Sequence, residues 1–178
     1  MSSEHDVVER VLRLREAGNV ERCHTMPHYD QYSVGKHCYD MLALLVVLHP
    51  DPPARLFRAV IYHDAHERFT GDIPGALKYL APEIAAYMDE QKARIDAMLG
   101  YVFPELTDED RAWLKTIDRI EFFLWVEDQI ALGNQHVSGR RTSIVDQLAD
   151  MSMPDPCRMF LDTYRWHRTG DNSIKPKE

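Results

Sequence analysis

The chain has 178 residues, 44% of them apolar, and 21 basic against 29 acidic side chains leave a formal charge of −8. That length and apolar content bury a real core, which excludes a disordered chain. The acidic balance excludes a protein held to nucleic acid by phosphate charge but leaves room for a small nucleotide in a local basic pocket.

The N-terminus, Met1 to Arg15, alternates charge with Val and Leu and lacks the apolar stretch of a signal peptide. A first helix is expected over Glu4 to Glu16, stopping before Gly18-Asn19. Asn19 to Tyr32 has no helical period and contains Pro27, so it reads as a long connection, and long ordered loops are often functional. Ser33 is a good N-cap for a second helix reaching Leu48, where His49-Pro50 ends it. The longest apolar run, Met41 to Leu48, lies here; at eight residues it is far short of the roughly twenty a membrane span needs.

Asp51 with Pro52 then reads as the cap and first turn of a third helix running to about Arg68. Thr70 to Gly75 reads as a turn, and a fourth helix is expected over Pro82 to Leu99. Thr107, with Asp110 three residues on, resembles a capping box opening a long fifth helix to Leu132, stopped by Gly133-Asn134. Two shorter helices follow, about Thr142 to Asp150 and Asp155 to Arg168. No sustained alternation marks a strand. The expected architecture is all-α: one domain over residues 1–169, a bundle of about six to seven helices, with a flexible tail over 170–178. Three cysteines without CxxC spacing (Cys23, Cys38, Cys157) argue against a disulfide framework or a thiolate zinc site, and together with the missing leader point to the cytoplasm.

Several polar residues sit where a core would not want them. His63 and Asp64 are neighbours, about 100° apart on a helix, and Glu67 lies one turn further along. Imidazole with carboxylate suits a divalent metal, although a polar helix end in water would look the same. His37 shares helical spacing with Val34, Met41 and Leu45, as a satisfied core histidine also would. Asp118 shares a face with Leu114, Phe122 and Trp125, and a buried Asp requires a partner, either an ion, an arginine or a helix end. His37, His63, Asp64 and Asp118 together make two imidazoles and two carboxylates from three helices, a set that leaves positions open for water and substrate. No histidine occurs between Glu67 and Gln135, which favours one ion over two.

This ordered set resembles the HD-domain phosphohydrolases. Tyr62 to Glu67, then Thr70 to Pro74 with Lys78-Tyr79, and Asp118 before a helix ending in Leu132-Gly133-Asn134, is similar to the bacterial 5′-deoxynucleotidases and their phage relatives, including dATP triphosphohydrolases, over roughly Gly18 to Gly139. The resemblance implies an HD-domain helical bundle in which His37, His63, Asp64 and Asp118 hold one divalent ion (Co, Mn, Zn or Mg). It implies that Arg22, fifteen residues before His37, grips the phosphate. Glu67 would manage a proton, and Asp72 would act beside it on the proton or the sugar hydroxyl. Cys23 stands where the deoxynucleotidases carry a tryptophan that crowds the sugar 2′ position, and Lys36 stands where relatives often have Glu.

The expected activity is metal-dependent hydrolysis of the 5′-phosphate ester of deoxynucleotides, dNMP to deoxynucleoside plus phosphate. The alternative is a dNTP triphosphohydrolase cutting the same ester, with Lys36, His66, Lys78, Lys115 and Arg119 as contacts for a longer phosphate chain, although each reads equally well as a surface residue. A non-catalytic nucleotide-binding module would have lost some of these positions, and none is lost. The expected partner is a small deoxynucleotide, with no nucleic acid and no membrane. The resemblance adds a homo-oligomer, in the cytoplasm or, for a phage-encoded chain, in that of the host.

Overall fold

A computed structural model describes the backbone of residues 4–169 and the side chains of 6–164 except at positions 76, 78, 79, 82, 85 and 89. The expected tail, 170–178, and the Lys78 side chain lie outside the described residues. Among those described there are seven helices of nine residues or more, two shorter ones, and no strand beyond an isolated bridge between Glu21 and Ser33.

Helix α1 (Glu4–Ala17) ends at Gly18, which packs backbone to backbone against Gly35. The Gly35 N–H donates to the Gly18 carbonyl at 3.0 Å, and a Cβ on Gly35 would stand 2.9 Å from that oxygen. The connection between them therefore returns to its starting point. It is closed by Arg22 N–H on the Tyr32 carbonyl (2.7 Å) and Val34 N–H on the Val20 carbonyl (2.8 Å). Helix α2 (Val34–Leu48) starts as expected: the Ser33 Oγ accepts from the Lys36 N–H at 3.2 Å.

Helix α3 (Ala54–Tyr62) corrects the sequence reading at both ends. Pro53 takes the N-cap position, and the Asp51 N–H donates to His49 Nδ1 at 3.1 Å. At its C-terminus the α-helix stops before the His-Asp pair instead of running on to Arg68. Backbone bonds tighten there to i→i−3: Ala65 N–H to the Tyr62 carbonyl (3.2 Å) and Glu67 N–H to the Asp64 carbonyl (3.0 Å). Three residues per turn eclipse positions i and i+3, so Asp64 and Glu67 fall in line. Short helix α4 (Glu67–Thr70) follows, and then Gly71 in the left-handed region. Short helix α5 (Gly75–Leu80), which the sequence did not announce, precedes α6 (Pro82–Leu99).

Helix α7 (Asp108–Ala131) opens with the anticipated capping box, Asp110 N–H on Thr107 Oγ1 at 3.1 Å and Thr107 N–H on Asp110 Oδ2 at 2.8 Å. A 3₁₀ turn (Gln135–Val137) leads into α8 (Ser138–Asp150), which begins four residues before the expected Thr142, and α9 (Asp155–Thr169) completes the described fold. The main core joins Met41 and Leu45 of α2, Leu56 and Val60 of α3, Trp113, Ile117, Ile120 and Phe123 of α7, Ile144 and Leu148 of α8, and Leu161 of α9. Each such aliphatic or aromatic side chain contributes about 1.5–3 kcal/mol on burial. The central position of α7 sets Asp118 against α2 and α3. No described helix is long and apolar enough to cross a membrane.

Candidate active site

His37 is fully buried on the inner face of α2. Its Nδ1 meets the Glu121 carboxylate in a short contact, so Nδ1 carries the proton and Nε2 presents a lone pair. His63, in the tightened turn after α3, donates from Nδ1 to the Val60 carbonyl at 2.7 Å, which fixes the same tautomer. The two Nε2 atoms face each other at 3.2 Å, and His37 Nε2 is 3.3 Å from Asp118 Oδ1. One donor atom from each of His37, His63 and Asp118 falls within 4.8 Å of the others. With Nδ1 of each ring committed to its own partner, each Nε2 is the nitrogen left to face a ligand. This donor set therefore fits a divalent ion that accepts nitrogen and oxygen.

Asp64, the fourth residue of the expected quartet, stands beside this trio. Its Oδ2 is 3.1 Å from His63 Nε2 and 3.9 Å from His37 Nε2, and the same oxygen takes a short hydrogen bond from Arg22 Nη1. Burial opposes the charge on Asp118, but His37 and His63 outweigh it and hold the carboxyl down at about 2. Asp64 is likewise buried, and His63 and Arg22 hold it well below the carboxylate range. Glu67 goes the other way. Burial, then the neighbouring Asp64 charge, push its carboxyl up to about 8, and its Oε2 is buried without a hydrogen-bond partner among the described residues.

Arg22, His63, Asp64, Glu67 and Asp118 line a cavity of about 690 Å³, with His37 buried behind them. One wall is the loop after α1, where Cys23 adopts the left-handed conformation (φ 56°) and its N–H donates to Asp72 Oδ2 at 2.7 Å. Asp72 thus braces the loop that carries Arg22, a contact the sequence did not suggest. Burial, then Asp72, push the Cys23 thiol up to about 12, so it faces the cavity neutral. Arg119 and Phe122 of α7 and Arg140 of α8 complete the walls.

Two of the expected substrate contacts, Lys36 and His66, do not line this cavity. Lys36 reaches into solvent, pairs with Asp40, and borders a separate groove between α2 and α7, because its place in the first turn of α2 turns it away from His37. His66 turns towards α6, where its Nδ1 is 3.1 Å from Lys92 Nζ. Two residues of the site, Glu121 and Arg140, were not among the sequence candidates. Glu121 Oε2 accepts from the Tyr32 hydroxyl at 2.6 Å as well as from His37. Tyr32 stacks on Trp125 at 4.5 Å, and the Arg22 guanidinium lies over its ring at 5.5 Å. The one available signal for Glu121 was its place three residues after Asp118, on the same helical face.

A helical bundle that gathers a histidine from α2, a consecutive His-Asp pair and a distant Asp of α7 has the arrangement of the HD-domain proteins that the sequence resembles. The chain belongs to the YfbR-like 5′-deoxynucleotidase family, whose model matches residues 11–166. It is similar to a 5′-deoxynucleotidase of Vibrio cholerae, with 38% identity over 126 residues, 63% of this chain and 64% of the relative. A 5′-deoxynucleotidase of Vibrio parahaemolyticus is 27% identical over the same length and shares. One of Vibrio vulnificus is 26% identical over 118 residues, 58% of this chain and 60% of the relative. The chain thus spans a little under two thirds of the curated relatives it matches.

Proposed function

We propose that the protein hydrolyses the 5′-phosphate ester of deoxynucleoside monophosphates. The observation that carries this reading is the convergence of His37, His63 and Asp118, with Arg22 on the adjoining Asp64, at a cavity large enough for a nucleotide. His37, His63 and Asp118, with Asp64 beside them, hold one divalent ion. Such an ion polarises a phosphoryl oxygen and lowers the pKa of water.

Arg22 supports phosphate binding. Its Nε–H is buried without a partner among the described residues, a state costing about 1–3 kcal/mol that a phosphate oxygen would relieve. The Asp64 contact aims the fork, and the Tyr32 ring backs it. In the reaction a water oxygen forms the new P–O bond and the P–O5′ bond breaks with its electron pair on O5′. Glu67, protonated at neutral pH by its burial, donates the proton that O5′ needs and recovers one from the attacking water. Asp72 keeps the Arg22–Cys23 segment in register. From the resemblance alone we also infer a homo-oligomer, which light scattering tests.

The decisive experiment is a release assay on ribo- and deoxynucleoside mono- and triphosphates with Co²⁺, Mn²⁺, Zn²⁺ and Mg²⁺ in turn, with products identified by mass. Phosphate from dNMPs supports the reading and names the ion. Triphosphate from dNTPs, with dNMPs untouched, replaces it with the triphosphohydrolase reading, for which Arg119 on the cavity wall supplies an extra cationic group.

A further inference from the structure

The first turn of helix α8 carries two consecutive arginines that differ in their engagements. Arg141 is held by Glu127, Nε to Oε1 at 2.5 Å. Arg140 turns the other way, into the active-site cavity, and is half-buried. Its one hydrogen-bond contact among the described residues is the Met26 thioether, Nε to Sδ at 3.4 Å. Sulfur of this kind is a weak acceptor. The contact orients the guanidinium plane and leaves its terminal N–H groups available. No described carboxylate forms an ion pair with it, whereas Arg22 and Arg141 each have one.

The loop opposite gives Arg140 a place along a bound nucleotide. Arg22 meets Asp64 at the ion-binding cluster. Cys23 follows, tied to Asp72. Met26 then closes a turn, its N–H on the Cys23 carbonyl at 2.9 Å, and meets Arg140. Arg22, Cys23, Met26 and Arg140 thus line one cavity, with Met26 three positions further along the loop than Cys23. Phe122 lines the same cavity and offers a base an aromatic face.

We propose that a nucleotide with its phosphate at Arg22 and its sugar at Cys23 brings its base to Met26 and Arg140, and that Arg140 reads this base and selects guanine. A guanidinium fork delivers two parallel N–H donors and rewards an edge carrying two adjacent acceptors. Guanine presents N7 and O6 in that arrangement; adenine presents N7 beside an amino donor, which opposes one arm of the fork. This inference rests on the deoxynucleotidase reading and adds a base preference to it.

The test is the kcat/KM of the metal-loaded enzyme on dGMP, dIMP, dAMP and 7-deaza-dGMP, for the parent, Arg140→Ala and Arg140→Lys. The parent is expected to favour dGMP and dIMP over dAMP by about tenfold or more. Removing N7 pulls the deaza analogue towards dAMP. Arg140→Ala and Arg140→Lys both bring the dGMP-to-dAMP ratio towards one, the second because it keeps charge but loses the fork. Equal parent rates on all four substrates overturn the proposal. So does a Lys variant that keeps the ratio, or an Ala variant that slows dGMP and dAMP equally. Should no deoxynucleotide be hydrolysed at all, the activity reading fails. Calorimetric binding of dGMP against dAMP to the metal-loaded protein then judges Arg140 alone, with equal affinities counting against it.

Discussion

Glu121 carries a consequence for ion binding that can be measured separately from catalysis. It is 3% exposed and takes hydrogen bonds from two buried donors, the Tyr32 hydroxyl at 2.6 Å and His37 Nδ1. Glu121→Ala removes this acceptor from both, while the two donors stay 3.4 Å apart and can still pair with each other. One buried donor left unsatisfied costs about 1–3 kcal/mol, so the ion-free protein should lose about that much of a typical 5–15 kcal/mol. His37 also loses the partner that keeps its Nε2 lone pair pointed at His63. Removal of such an orienting group typically weakens ion binding about 10–100-fold, or about 1.4–2.7 kcal/mol. Tyr32→Phe separates the two effects, because it removes one hydrogen bond to a charged group, worth about 1.5–3 kcal/mol, while leaving the Glu121–His37 contact in place. Urea denaturation of ion-free protein and calorimetric titration with Mn²⁺ or Co²⁺ should be run on both variants. The expectation is that both lose stability and only Glu121→Ala loses affinity. Unchanged affinity in a folded Glu121→Ala protein would refute the tautomer reasoning and leave Glu121 a purely structural residue.

Glu67→Gln keeps the shape of the side chain but not its proton chemistry, so kcat should fall about 10²-fold or more with ion affinity retained, as read by steady-state kinetics and calorimetry; near-normal turnover would move the proton role elsewhere. Cys23→Trp should raise the deoxy-to-ribo ratio of kcat/KM by ~10²-fold at most, the ceiling for an apolar wall against one hydroxyl, and a change in overall activity with a constant ratio would count against position 23. Asp110 is held below its ordinary value; burial opposes this, but the Arg55 guanidinium (2.6 Å) and the Thr107 donors prevail. A depressed folded value means that its stabilisation is complete above the unfolded value of 3.8 and is lost as pH falls through the folded one. Acid unfolding curves of the parent should therefore be steeper below about pH 4 than those of Asp110→Asn, and parallel curves would contradict this.

The parts of the fold legible in the sequence were those written in local chemistry. Ser33 and Thr107 cap α2 and α7 as their side chains require. His37, set in the apolar stripe of α2, converges with His63 and Asp118 because an apolar face has to bury whatever it carries. The tightening at His63–His66 was not legible, because no glycine or proline marks it. Helix α5 has only six residues, too few to show a period. Glu121 looked like any acidic residue on a long helix; its meaning depends on Tyr32, 89 positions away. Lys36 and His66 were drawn in by proximity to ligand positions in the chain, and the helix turn then aimed them elsewhere.

The contact between Gly18 and Gly35 acts as a gauge block. Arg22 hangs from a loop that leaves the backbone at one glycine and rejoins it at the other, and His37 follows two residues after the second. The spacing between the group that grips an anion and the group that holds a cation is thus set in part by a missing side chain at a place neither touches. Enlarging Gly35 by one methyl, which would stand 2.9 Å from the Gly18 carbonyl oxygen, opens the contact, and the error appears as a misplaced Arg22 over a displaced His37. Geometry at this site is fixed partly by side chains that are missing.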